Sequence, residues 1–389
     1  MRRVRHYEYG GPEVLRLEDA PEPEPGPGEL LVRVTAIGVT LPAVRRVRAG
    51  DPAALPAPIG GEVAGEVIAI GPAVLAPALP TDAVAPACEI RVGDRVTGLS
   101  FTGSYAEVVT VPAALATPIP EWASDVLAVA LIRSGHVALG VLATAAPGPD
   151  ESMLITGAAS GVGHLLVQLA GLPELRGMPN PPGAAGAAGA AGAAGTAGTA
   201  RTARTAGAAR TAGAARTAGA AELPGVRSPR GQAGPRGLRG ARRVVAAAGS
   251  RDKGGFLRDL GANEVVAYAD ESWGAPVDIA LDAVGGDLLP RALAAVRPGG
   301  RLIFFNSGGG TVPAHDLLAG AKTITGFTVA RFAATQPDRY RADTEELWEL
   351  ARTGRLRPAI HAELPLARAA EAHRIIEARA NLGKVILRP

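Results

Sequence analysis

The stretch MLITGAASGVGHLLVQLA, residues 153–170, decides the fold. A short apolar run passes through a turn of small residues directly into an apolar helical pattern. In a dinucleotide-binding unit, glycines at such a turn allow a tight bend, a close approach of backbone to pyrophosphate, and tight packing of helix on strand. The three positions read here as Ala158, Ser160 and Gly163, with Gly161 between them. Only the third is glycine, so the pattern alone also fits an ordinary strand–helix turn. Its setting supports the dinucleotide reading, because the turn opens a series of strand–helix units and the helix start offers free N–H groups to phosphates.

Downstream, RVVAAAG (243–249), EVVAYA (264–269), VDIALDAV (277–284) and RLIFFN (301–306) read as strands. KGGFLRDLG (253–261) and LLPRALAAV (288–296) read as helices between them. This alternation predicts a parallel sheet covered by helices on both faces. Upstream, ELLVRVTAIGV (29–39), GEVAGEVIAIG (61–71), DRVTGL (94–99) and SYAEVVTV (104–111) are short strands set between Gly/Pro turns, the mark of a mostly β module. The end of the chain holds two helical patterns, DTEELWELARTG (343–354) and ARAAEAHRIIEARA (367–380), and a last strand in KVILRP (384–389).

The end of the second strand of the parallel series bears on the cofactor. An NAD site usually places an acid there for the ribose 2′-hydroxyl, whereas a 2′-phosphate needs donors and cations. Here the strand ends AAAGSRDK, giving Gly249, Ser250, Arg251 and Lys253 before or around the first acid, Asp252. The expected cofactor is NADPH; the same residues would also suit the start of a solvated helix.

Composition limits the alternatives. The 389 residues suffice for two domains, and the single cysteine, Cys88, excludes an internal disulfide framework and a Cys-rich zinc cluster. With six scattered histidines, no metal site is expected. No apolar run is expected to reach the roughly 20 residues of a membrane helix, and no signal-peptide core follows the basic N-terminus. A soluble cytoplasmic protein with no membrane partner is therefore the default expectation. The net charge of +3 is unevenly placed. Residues 176–240 carry nine arginines and one glutamate, a net of +8, leaving −5 for the remainder. That segment consists largely of GAA, GTA and RTA triplets, which bury little apolar surface against the cost of ordering. It is expected to be a disordered low-complexity insertion, arising from triplet expansion; a basic arm for an anionic partner is the sharper alternative. Nucleic acid is not the expected partner of the mildly acidic body.

The order and spacing of several pieces together resemble a quinone oxidoreductase-type member of the medium-chain dehydrogenase/reductase superfamily. These are GGPEVLRLED (10–19), EPEPGPGELLVRVTAIGV (22–39), GGEVAGEVIAIG (60–71), VGDRV (92–96) and GSYAEVV (103–109). AASGVG (158–163), LGANEVVAY (260–268), VDIALDAVGG (277–286), RPGGRLIFF (297–305) and NLGKVIL (381–387) follow. The resemblance implies an α/β chain with a GroES-like, mostly β catalytic domain and a Rossmann doubly wound parallel sheet. The expected division is 1–124 for the first part of the catalytic domain and 125–329 for the Rossmann domain, interrupted by the 176–240 insertion. Residues 330–389 would return to the catalytic domain, and a homodimer is implied.

Carried onto this sequence, the resemblance implies that Ser160, Gly161, Val162 and Gly163 line the pyrophosphate. It implies that Ser250, Lys253 and Tyr268 hold the 2′-phosphate, where the strand-end reading adds Arg251. Val284, Gly285, Phe305, Asn306, Ser307 and Phe327 would approach the nicotinamide half, with core packing the alternative for Phe305 and Phe327. Asn381 would contact the cofactor from the C-terminal side. Zinc-dependent relatives carry a cysteine and a Gly-His-Glu motif where this chain has AIGVTLPAV (36–44) and IGGEVAG (59–65), so only Glu62 remains of a ligand set that needs about three members. Glu62 is expected to be structural, bonded to backbone. Thr40, where relatives often carry Asn, is the candidate to hydrogen-bond substrate or nicotinamide, with a backbone-satisfied threonine as the alternative. Ala43 replaces an acid and Val137 a threonine of the family pattern, and His136 is expected at a domain boundary rather than as a proton donor. The implied reaction is zinc-free hydride transfer from NADPH to a small electrophile, a quinone or an α,β-unsaturated carbonyl. Two other readings remain open: an enoyl reductase for carrier- or CoA-linked intermediates, and a redox-silent NADPH-binding protein with a polyanion-binding arm.

Overall fold

The computed structural model describes residues 1–72, 90–148, 150–172, 240–305 and 308–389. Cys88, Asn306, Ser307 and nearly all of the 176–240 tract lie outside them, so the expectations for these residues have no structural counterpart.

The first module begins with the hairpin β1 (Arg2–Arg5) and β2 (Arg16–Asp19), then the long β3 (Glu29–Val39) and the helix α1 (Leu41–Arg48). Strands β4 (Glu62–Ile70), β5 (Arg95–Leu99), β6 (Val108–Pro112) and β7 (Thr117–Pro118) complete its front part. Helix α2 (Asp125–Ala145) leads to β8 (Ser152–Thr156) and α3 (Gly163–Gly171), followed by β9 (Arg243–Ala248), α4 (Gly254–Asp259) and β10 (Glu264–Ala267). Next come β11 (Val277–Asp282), α5 (Leu288–Ala294), β12 (Val296–Phe304), α6 (Ala314–Ala319) and β13 (Thr323–Gly326). Helices α7 (Val329–Thr335) and α8 (Pro337–Arg352), strand β14 (Ile360–Pro365), helix α9 (Ala369–Glu377) and strand β15 (Lys384–Arg388) close the chain.

The parallel sheet runs β10-β9-β8-β11-β12-β13. Counted from β8, this is the order 3-2-1-4-5-6 of a Rossmann sheet, with the reversal between β8 and β11. Its central strands are buried on both faces, which is why MLIT and VVAAA read as unbroken apolar runs rather than alternating ones. The other sheet runs β14-β15-β3-β4-β5-β7, with β6 also on β3. There β15, the end of the chain, pairs antiparallel with β3 through Val385↔Val39 and Leu387↔Ile37. Both ends of the chain therefore build one β module.

Two expectations need correction. The division at 329/330 falls too early: Phe332 of α7 and Leu347 and Leu350 of α8 belong to the same core as β8, α3 and β9, and only from β14 does the chain join the β module. A helix long and apolar enough to cross a membrane does exist, namely α2, with 83% of its most apolar window buried inside the protein. Buried over most of its surface and interrupted by only a few polar residues such as Arg133 and His136, it has little amphipathic period to reveal it. It is a core helix shared by both modules, with Leu131 and Leu139 in the Rossmann core and Ala128 and Val129 against β3 and β4.

The insertion leaves at Leu172 and returns at Gly240, and these two ends touch. The Ala241 N–H donates to the Ala170 carbonyl at 2.7 Å, and a Cβ on Gly240 would collide with the Leu172 carbonyl.

Candidate active site

The turn after β8 is built for close approach. Gly157 adopts φ +63°, and a Cβ on Gly163 would collide with its carbonyl, so α3 can sit tightly over the strand only with glycine there. Ser160 Oγ accepts the Gly163 N–H at 3.0 Å, and the Ser160 carbonyl holds His164 Nδ1 at 2.9 Å. The second nitrogen of His164 accepts the Ala359 N–H at 3.0 Å, so this buried ring is neutral, and burial lowers its pKa to about 4. Thr156 donates to the buried Asp282 at 2.6 Å, and Asp282 accepts the Gly285 N–H at 2.9 Å. The ends of β8 and β11 are thereby locked at the point where the sheet order reverses, the usual place for a ligand in such sheets.

A cleft of about 780 Å³ opens there between the two modules. Of the expected residues it gathers Ser160, Gly161 and Val162 from the turn, Lys253 and Tyr268 beyond β9 and β10, Val284 and Phe305 beyond β11 and β12, and Asn381 and Thr40 from the β module. Five others lie elsewhere. Gly163 acts in packing beneath the turn. Gly285, at φ +68°, binds Asp282 rather than facing the cleft. Phe327 packs on Gly140 and Phe332, the core role given as its alternative. Ser250 caps the following helical turn by accepting the Asp252 N–H at 3.1 Å. Arg251 turns outward to Asp270 at 3.0 Å. For Ser250 and Arg251 the local capping geometry and a nearby acid win over the cleft.

Beyond β9 the lining contains Gly249, beside which a Cβ would meet nothing within 4 Å; the nearby carboxylates of Asp252 and Asp270 are not part of the lining, the first accepting the Ser250 hydroxyl at 2.9 Å and the second holding Arg251. Lys253 donates to the carbonyls of Arg379 and Asn381, the latter at 3.0 Å, tying the C-terminal segment to the Rossmann module. Burial, reinforced by the charge of Arg379, lowers the Lys253 pKa. The Tyr268 hydroxyl accepts the Gly157 N–H at 2.8 Å, and the Arg379 guanidinium lies 5.9 Å from its ring centroid. Arg379, at φ +52°, was missed from the sequence; it ends a helix, and no local pattern marks its stacking on a distant tyrosine.

At the domain junction Glu62 is buried, but against cations rather than backbone. One carboxylate oxygen takes Lys384 Nζ, and Arg133 Nε lies 3.3 Å from the other. Lys384 comes from β15 and its stem lies 3.2 Å from where a Cβ on Gly161 would stand, so the pair props the phosphate-facing turn. Thr40 caps α1 by accepting the Ala43 N–H at 3.4 Å while lining the cleft. His136 is buried, stacked on Tyr340 at 3.8 Å and bonded to Thr344 at 2.9 Å; desolvation lowers its pKa to about 3. Among the described residues no three His, Cys, Asp or Glu side chains converge as a metal site would require.

Residues 26–121 match the family described as an alcohol dehydrogenase GroES-like domain, and residues 260–387 that described as a zinc-binding dehydrogenase. A quinone oxidoreductase from Pseudomonas aeruginosa is 27% identical over 100% of this chain and 99% of its own. A 2-haloacrylate reductase from a Burkholderia species is 25% identical over 98% and 97%. A mycobacterial protein solved in complex with NADPH superposes with a TM-score of 0.74 at 26% identity, covering 100% of both chains. With the two-module fold and the cleft at its junction, these likenesses mean that the chain belongs to the medium-chain dehydrogenase/reductase superfamily and is quinone oxidoreductase-like within it.

Proposed function

We propose that the chain is an NADPH-dependent reductase of quinones or α,β-unsaturated carbonyl compounds, working without a metal ion. The observation that carries the reading is the far end of the cleft, where Lys253, Tyr268 and Arg379 meet and neither Asp252 nor Asp270 lines the cavity. A ribose 2′-phosphate needs such a place, and a 2′-hydroxyl does not. The vacant side of Gly249 leaves room for it. The mycobacterial relative solved with NADPH supports the cofactor, and the two reductases above support the reaction class.

When bound, NADPH supplies the hydride. The chain's own share is binding, orientation and exclusion of water. Ser160, Gly161 and Val162, which line the cleft just ahead of α3, offer the place for a pyrophosphate, and the stem of Lys384 supports the turn from beneath. Thr40 accepts the Ala43 N–H with one lone pair, and no acceptor among the described residues takes its hydroxyl proton, which can donate to a carbonyl oxygen in the cleft. Phe305, 1% exposed, and Val137, 4% exposed, present apolar walls. A cytoplasmic homodimer belongs to the same proposal.

The test is NADPH oxidation at 340 nm, against NADH, over a panel of quinones and enones with a chelator present. Turnover that prefers NADPH and survives chelation is the expected result; preference for NADH or loss of activity on chelation would sink the reading.

A further inference from the structure

The cleft holds more positive charge than the cofactor end requires. Of the three arginines that α1 turns toward it, Arg48 is paired with Glu377 through two bonds of 2.5 and 2.7 Å, and Arg46 donates to the Gly60 carbonyl at 2.7 Å. Arg45 has no carboxylate partner among the described residues. Its guanidinium lies against Gly308, with Cζ and both terminal nitrogens 2.8–3.2 Å from where a Cβ would stand, so the absence of a side chain there makes the place it occupies. The Gly308 N–H donates to the Val284 carbonyl at 3.2 Å. Arg45 therefore stands beside Val284, at the end of β11, on the far side of the sheet reversal from Lys253 and Arg379. Arg133, also in the lining and with 42% of its side chain exposed, shares the single charge of Glu62 with Lys384 and is left half-compensated. The lining also includes Ile59, Leu99, Phe101 and Ser100, and its two acids, Glu62 and Glu377, are each held by cations already named.

We propose that Arg45, with Arg133 as a second cation, forms an anion subsite, so that the preferred electrophile carries a negatively charged group. The inference rests on the reductase reading above and names its substrate class. A planar guanidinium with a free edge matches a carboxylate bidentately, and such charge-assisted bonds are about twice as strong as neutral ones. The anion is either a carboxylate on a small enone or a phosphate on a larger carrier such as coenzyme A.

The experiment compares wild type with Arg45→Gln on trans-4-oxo-4-phenyl-2-butenoate and its ethyl ester, and on crotonyl-CoA and crotonyl-pantetheine. Each pair differs in charge, and its intrinsic reactivity cancels between the two proteins. The expected result is a roughly tenfold or greater loss of kcat/KM, carried by KM, for the charged member of one pair, with its neutral partner within about threefold. Loss on the acid identifies a carboxylate; loss on the CoA thioester alone identifies a carrier phosphate. Calorimetry of the saturated acid, 4-oxo-4-phenylbutanoate, with the NADP⁺-loaded protein reads the site without turnover, and NADPH affinity is measured alongside. Equal losses on charged and neutral members, no loss on either, or weakened NADPH binding would overturn the subsite. If nothing turns over but the saturated acid still binds through Arg45, the reductase reading fails while the subsite stands.

Discussion

Replacing Lys384 tests how the two modules are held together. Glu62 and Lys384 have 7% and 4% of their side chains exposed, and both sit in a slot left by Gly38, where a Cβ would come within 2.5 Å of the carboxylate and 2.9 Å of Val129. Removing one partner of a buried pair typically costs about 3–5 kcal/mol, because the other charge stays buried and unpaired. The two single variants differ in what remains. In Lys384→Met, Glu62 keeps Arg133 at 3.3 Å, so the loss should fall near the lower end, about 3 kcal/mol. In Glu62→Gln, Lys384 keeps only the Ser134 hydroxyl at 3.4 Å, and about 4 kcal/mol is expected. The double variant buries no lone charge at this point and should recover about 2–3 kcal/mol of the combined loss. Equilibrium urea unfolding of the four proteins measures this coupling. Additivity within about 0.5 kcal/mol would refute the buried-pair argument.

Removing residues 180–236 should leave the Kd for NADPH within about twofold of the full chain by fluorescence titration, because long surface insertions cost little and this one begins and ends at the strand edge remote from the cleft. Gly249→Asp places a carboxylate at the open end of β9 and should weaken NADPH by at least about tenfold while sparing NADH; equal effects on the two would argue against the 2′-phosphate site. Tyr268→Phe leaves the Gly157 N–H without its acceptor and should destabilise by about 1–3 kcal/mol on urea unfolding, with a higher KM for NADPH. His164, lowered from 6.5 to about 4 by burial, binds fewer protons folded than unfolded between those values. Its contribution is therefore complete above pH 6.5 and lost as pH falls toward 4, about 3 kcal/mol in all. Stability measured against pH should show that acid limb flattened in His164→Gln.

The parallel sheet was readable because buried strands and their helices alternate at short spacing, and its turn was readable despite a single matching glycine because of where it sits. Helix α2 was not, since Ala, Leu, Val and Gly fill most of its surface and its few polar residues mark no continuous face. At the cleft end beyond β9, Lys253 comes from the reading of the strand end and Tyr268 from the family resemblance, whereas Arg251 pairs with Asp270 and Arg379 arrives from the other end of the chain. Glu62 showed its position but not its partners, because Lys384 meets it only through the pairing of β15 with β3. Such long-range partners follow from topology, which local pattern reveals only after the modules are assembled.

The meeting of Leu172 with Gly240 makes that junction a natural pair of alternative chain ends. A protein cut there and joined through its original termini would keep β8 and β9 in register, since the backbone bond from Ala241 to Ala170 survives the cut. Fragments 1–172 and 240–389 are likewise complementary halves of one sheet, each supplying strands the other needs. The same doorway would accept a foreign domain whose own termini lie close together, with the cleft undisturbed and the passenger carried at the opposite edge.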